Sequence, residues 1–127
     1  MIQEAIRSAQ EAHRAIIEQT YIGRCSVIER QKVKKENGVT GFEEVTVLEE
    51  IPCFLNYETV PAAEAADPAS GINQGITLLL APEVAISAGS KLIVTQNGVT
   101  REYTQSGVPA VYVSHQEINL ELFERWA

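Results

Sequence analysis

Residues 91–104 read KLIVTQNGVTREYT. On both sides of Asn97-Gly98, apolar and β-branched residues alternate with polar ones. Asn-Gly is a preferred two-residue connection between such arms, because both positions must accept a positive φ. The stretch predicts a β-hairpin, and its neighbours keep the same period of two. Upstream, residues 76–81, ITLLLA, are apolar on both faces and predict a central strand ended by Pro82, after which Gly89 is available to turn the chain. Downstream, Ser106-Gly107-Val108-Pro109 makes another turn and residues 111–115 read as a strand. Ile118, Leu120 and Leu122 then alternate with Asn119, Glu121 and Phe123, predicting a last strand that runs on towards Trp126.

The first half of the chain adds an element of a different period. Ile2, Ile6, Ala9, His13, Ile16 and Ile17 recur at steps of three and four, with Glu4, Arg7, Glu11, Arg14 and Glu18 between them, so residues 2–19 predict an amphipathic helix whose apolar edge, His13 included, packs on the body. From Tyr21 the period becomes two, with Tyr21, Gly23, Cys25 and Val27 on one face. This strand continues to Lys35, meets Asn37-Gly38, and returns through residues 43–48 as a hairpin. Asn-Gly-Val-Thr occurs at both turns, at Asn37 and at Asn97, which suggests shared turn chemistry. Ile51, Cys53, Leu55 and Tyr57 alternate again, and Pro52 marks a bulge or an edge position. The sum is a mainly β chain: a small antiparallel β-barrel or sandwich with an N-terminal amphipathic helix.

A length of 127 residues gives one domain, residues 1–127, with helix over 1–19 and strands over 20–57 and 76–127. Residues 58–75, ETVPAAEAADPASGINQG, are the exception: a long loop between the second and third strands, containing Pro61, Glu64, Asp67, Pro68, Gly71 and Gly75. It has little apolar content with which to bury itself. Connections of this length are usually functional or slack, and we take it as mobile.

Seventeen acidic against ten basic residues give a formal charge of −7, which disfavours a surface that binds nucleic-acid phosphates as a whole. Arg30, Lys32 and Lys34 share one face of their strand and are the local exception, either a solvated arm paired with the glutamates of the returning strand or a nucleic-acid track. Cys25 and Cys53 have no partner motif and predict free, buried thiols. No nucleophile elbow, phosphate loop or zinc-type cluster is present in the sequence. Ser114 and His115, adjacent in a strand, would point to opposite faces and form no nucleophile–base pair. The expectation is a non-enzymatic chain without a cofactor, metal or membrane partner.

The features Ala88-Gly89-Ser90 before an apolar strand, Asn97-Gly98, Tyr103, Ser106-Gly107 with Pro109, and Tyr112 followed by Ser114-His115-Gln116-Glu117-Ile118 carry a resemblance. Over its last third the chain resembles the head-closure proteins of long-tailed bacteriophages, and most of all the version in PBSX-like defective prophages of Bacillus. The resemblance implies a β-barrel subunit that forms a ring, usually six-fold, at the head–tail neck. It implies partners on the portal side and the tail side, DNA in the channel without sequence specificity, and residence in the cytoplasm during assembly and then in the virion. It also implies that the loop between the second and third strands, here 58–75, closes the channel after packaging. Two other readings stay open: a barrel that binds single-stranded nucleic acid through Arg30, Lys32 and Lys34, and a tail-completion adaptor in the same assembly.

Overall fold

The computed structural model describes residues 2–61 and 72–126. Helix α1 (Ile2–Glu18) is followed by β1 (Gly23–Lys34), β2 (Thr40–Pro61), β3 (Ile72–Leu80), β4 (Lys91–Gln96), β5 (Val99–Gln105), β6 (Ala110–Val111) and β7 (Gln116–Leu122). The protein is mainly β, with one seven-stranded sheet in the order β3-β2-β1-β4-β5-β7-β6. Every pairing is antiparallel. A further pairing of β3 with β7, from Ile76↔Leu120 to Leu80↔Gln116, joins the two sides of the sheet. The strands β3-β2-β1-β4-β5-β7 therefore form a closed ring of hydrogen bonds, with β6 paired to β7 outside it.

The inward face of that ring is the core: Cys25, Val27, Cys53, Leu55, Leu78, Leu80, Leu92, Val94, Tyr103, Ile118 and Leu120. These are the alternate residues of their strands, as the period of two requires. Each of these side chains is nearly or wholly withdrawn from water, which at roughly 1.5–3 kcal/mol for a large apolar side chain is the main term holding the ring closed. Cys25 and Cys53 are free thiols within it. Burial pushes both up to about 12, with the neighbouring Cys53 adding to the effect on Cys25.

Strand β2 has 22 residues and would span roughly 70 Å if straight, whereas β4 and β5 have 6 and 7 residues. It therefore overhangs the ring. It pairs with β1 as far as Gly23↔Cys53 and with β3 from Cys53↔Leu80 onward, changing partner at that point. Just before the change, the register with β1 shifts around Val27, and Glu50 adopts a φ of 52°, a left-handed conformation that marks a bulge. Ser26 Oγ accepts a hydrogen bond from the Glu50 backbone N–H at 3.3 Å, which supports the displaced strand. Pro52 stands two residues after Glu50 and one before the β3 pairing begins, where its missing N–H costs no ladder bond on that side.

Several expectations are corrected. The long loop is shorter than 58–75, because Glu58↔Gly75, Thr59↔Gln74, Val60↔Asn73 and Pro61↔Ile72 continue the β2–β3 ladder. Backbone N–H and C=O groups require partners whatever side chains they carry, and the adjoining ladder supplies them. Of residues 111–115 only Val111 is strand, since the chain turns over 112–115 before β7, and β7 stops at Leu122. His13 is exposed, and no residue of α1 is buried. The two Asn-Gly-Val-Thr segments form different turns. At Asn97 (φ 53°) and Gly98 (φ 76°) both residues are left-handed, giving the two-residue hairpin. At the other turn only Gly38 (φ 82°) is left-handed, Lys35 N–H donates to Val39 O, and Asn37 Oδ1 accepts from Val39 N–H, giving a longer loop.

Candidate functional site

Because β2 outruns the ring at both ends, two ribbons project from it. One is the β2–β3 hairpin. The ring-closing β3–β7 pairing ends at Ile76↔Leu120 and the β1–β2 pairing at Gly23↔Cys53, so residues 58–61 and 72–75 pair only with each other. Pro61 and Gly75 lie in these arms, whereas Glu64, Asp67, Pro68 and Gly71 fall in 62–71, outside the described residues.

The root of this ribbon is held by polar groups outside the site residues expected from the sequence. Gln96 is the inward residue after Leu92 and Val94, and its buried amide reaches the β2 backbone. Gln96 Nε2 donates to Leu55 O at 2.9 Å, and Gln96 Oε1 accepts from Leu55 N–H at 2.7 Å. A side chain thus supplies the donor and acceptor of a missing strand neighbour just past the point where β1 ends. Gly23 is required by this arrangement, since a Cβ there would come within 2.9 Å of Gln96 Oε1. Alongside, the hydroxyls of exposed Tyr57 and buried Tyr103 lie 3.3 Å apart. Burial and that hydrogen bond push Tyr103 up to about 12. Tyr57, Ile76, Gln96, Arg101, Tyr103 and Leu122 line an open cleft of about 570 Å³ at the ribbon's base.

The second ribbon is formed by the ends of β1 and β2. The pairing of β1 with β4 stops at Ile28↔Lys91, so Arg30↔Glu44, Lys32↔Phe42 and Lys34↔Thr40 belong to a free two-stranded arm. All three cations are exposed. Among the described residues, no ion pair joins them to the glutamates of the returning strand. Glu44 turns instead to Lys91, whose Nζ lies 3.0 Å from Glu44 Oε1 and 3.5 Å from Glu102 Oε2. Lys91 is only 8% exposed. Burial acts to lower its pKa, but the two carboxylates outweigh it and hold the ammonium above its ordinary value. Glu44 is correspondingly held below the usual carboxylate range, first by Lys91 and then by the Trp126 indole, which donates to it at 3.2 Å. Lys91 also sits 5.1 Å and 5.5 Å from the ring centroids of Phe123 and Trp126. The free face of the ribbon carries the Arg30 guanidinium 4.2 Å over the ring of Phe42, an aromatic–basic pair that alternation along a single strand cannot reveal.

The expected separation of Ser114 and His115 is also corrected, because they lie in a turn. Ser114 Oγ and His115 Nδ1 are 2.9 Å apart, and His115 Nε2 lies 2.9 Å from Glu117 Oε2. Ser114 is 6% exposed, so its hydroxyl braces the turn and is not presented to a ligand; the Tyr112 ring stacks on His115 at 5.0 Å. Among the described residues, no group of three or more His, Cys, Asp or Glu side chains is gathered to hold a metal, and no helix is long and apolar enough to cross a membrane.

No protein-family model matches the chain, and no curated protein matches it. A solved structure similar to it is that of the phage-like element PBSX protein xkdH from Bacillus subtilis, at 12% identity, covering 78% of this chain and 91% of that one with a TM-score of 0.47. The likeness is distant.

Proposed function

We propose that the chain is a structural subunit of a long-tailed bacteriophage neck, a head-closure protein that assembles with copies of itself around the DNA channel and closes it with the β2–β3 hairpin. The observation that carries this reading is the position of that hairpin. It is the connection between the second and third strands, it overhangs a closed and well-packed ring, and its root is clamped by Gln96 and Tyr103. A gate needs a rigid base and a tip free of the core, and the sequence resemblance over the last third assigns closure to this connection. Glu64 and Asp67, which belong to this connection in the sequence, carry negative charge that would repel phosphates and keep DNA from adhering. The subunit acts without catalysis and without a cofactor, and its other partners are the portal-side and tail-side proteins of the neck.

The test is replacement of residues 62–71 by Asn-Gly in the phage that encodes the chain. Heads that package DNA and then lose it are expected. Heads that keep their DNA and join tails would overturn the reading. Changing Glu64 and Asp67 together to Lys is expected to slow ejection in a salt-dependent manner, and unchanged ejection would remove the charge argument.

A second reading has its own observation in the Arg30–Phe42 pair beside Lys32 and Lys34, a basic and aromatic surface of the sort that tracks single-stranded nucleic acid. Oligonucleotide binding that weakens with salt and is lost in Phe42→Ala and Arg30→Ala would favour it over the first.

A further inference from the structure

Helix α1 faces the wrong way for an isolated subunit. Ile2, Ile6 and Ile16 are 77%, 52% and 62% exposed. The side turned to the body is mostly polar, with half-buried Ile17 its apolar exception: Arg14 binds Glu83 at 2.5 Å, and Arg7, Gln10, Glu11 and Arg14 line a shallow hollow with Val113. An amphipathic helix on a folded body normally does the reverse.

The outward stripe has a definite pattern. Ile2, Ile6, Ala9, His13 and Ile16 are separated by steps of four, three, four and three, the spacing of the a and d positions of a two-stranded helical seam. With Ile6 and His13 at a, the flanking e and g positions are Gln3, Gln10 and Ile17 on one side and Ala5, Ala12 and Gln19 on the other. None is charged. Every charged residue of the helix, Glu4, Arg7, Glu11, Arg14 and Glu18, falls at b or f, away from the seam. In a chain of net charge −7 this is a face on which a second copy meets no like charge, whether it runs parallel or antiparallel. Ala5, Ala9 and Ala12 let two such helices approach closely.

We propose that α1 pairs through this stripe with α1 of a second copy of the chain. His13, a polar residue at an a position, fixes the register at some cost in affinity. A helix of 17 residues offers little more than two heptads, so the pairing is weak and concentration-dependent. It is independent of the head-closure reading, which concerns a different element, the β2–β3 hairpin.

The test uses the full chain with Ala9→Cys. Ala9 is the midpoint of the stripe and faces its counterpart in either helix direction, while Cys25 and Cys53 are buried and silent. Mild oxidation at high protein concentration is expected to give a disulfide-linked dimer. Adding Ile6→Lys and Ile16→Lys should reduce its yield by at least about tenfold, with the melting of the β ring unchanged because neither side chain is buried. An Ala9→Cys chain that stays uncrosslinked would overturn the proposal and mean that something other than a second copy covers the stripe. A cross-link indifferent to the two lysines would overturn it equally.

Discussion

Gln96 does at one point what a strand does along its length. Replacing it by Leu fills the volume but strips Leu55 of both backbone partners, and an unpaired buried N–H or C=O costs about 1–3 kcal/mol. Gln96→Leu is expected to destabilise the fold by about 2–4 kcal/mol, seen as a lower denaturation midpoint together with faster amide exchange at Leu55. A midpoint unchanged from wild type would mean that the clamp is dispensable. Gly23→Ala acts on the same clamp from the other side, by displacing Gln96 Oε1. Cys25 and Cys53, with thiols raised to about 12 by burial, are expected to react with a thiol reagent only after unfolding. Rapid labelling of the native chain would show that the ring opens locally.

Charge at Lys91 gives the fold a pH dependence with a definite sign. The Glu44 carboxyl is lowered in the folded state by Lys91 and Trp126, so its contribution is present above the ordinary carboxylate value and is lost as pH falls through the lowered one. The raised Lys91 contributes below the ordinary lysine value and loses that contribution as pH rises through its own. Between these limits the pair is intact. A melting temperature that declines below about pH 4, with a shallower decline in Glu44→Gln, is the expected result.

At the scale of elements, the strands and the Asn97-Gly98 hairpin were legible because their causes are local: alternation over a few residues and a turn that needs two positive φ values. What lay beyond reach was set by partners distant in sequence. The ring closure joins Ile76 to Leu120, and no pattern within either strand specifies that pairing. Gln96 did leave a trace, since a polar residue at an inward position of KLIVTQ demands a buried partner. The Arg30–Phe42 pair left none in β1 alone, because Phe42 arrives on the returning arm of the hairpin. Residues 58–61 and 72–75 read as loop because Pro61, Asn73 and Gly75 interrupt their few β-formers, yet the ladder already running between β2 and β3 carries them along. The apolar stripe of α1 was read correctly as a stripe and wrongly as a surface packed on the body. Periodicity tells which residues share a face and is silent on what that face meets. The turn residues are testable here: Gly98→Ala and Gly38→Ala should each cost about 1 kcal/mol, while Gly75→Ala, whose Cβ meets nothing closer than 3.6 Å, should cost less.

For the whole molecule, the ring and its overhanging hairpin are separable. The core is drawn from the six strands of the ring. Shortening that connection to two residues reduces loop-closure entropy, so the isolated protein is expected to be as stable as wild type or more stable by about 1 kcal/mol. A large loss of stability would show that the connection has a structural duty of its own.

Strand β2 also determines how the molecule answers force. It is one continuous strand from the β1 ribbon, through the wall of the ring, to the β3 ribbon. A pull that separates the arms at Pro61 and Ile72 loads their hydrogen bonds one after another, like a zip, and peels the hairpin cheaply as far as the ring. Tension along β2 loads many bonds in parallel and must shear them together. The protein is therefore mechanically anisotropic: compliant where its tip is spread, and stiff along the axis of its longest strand.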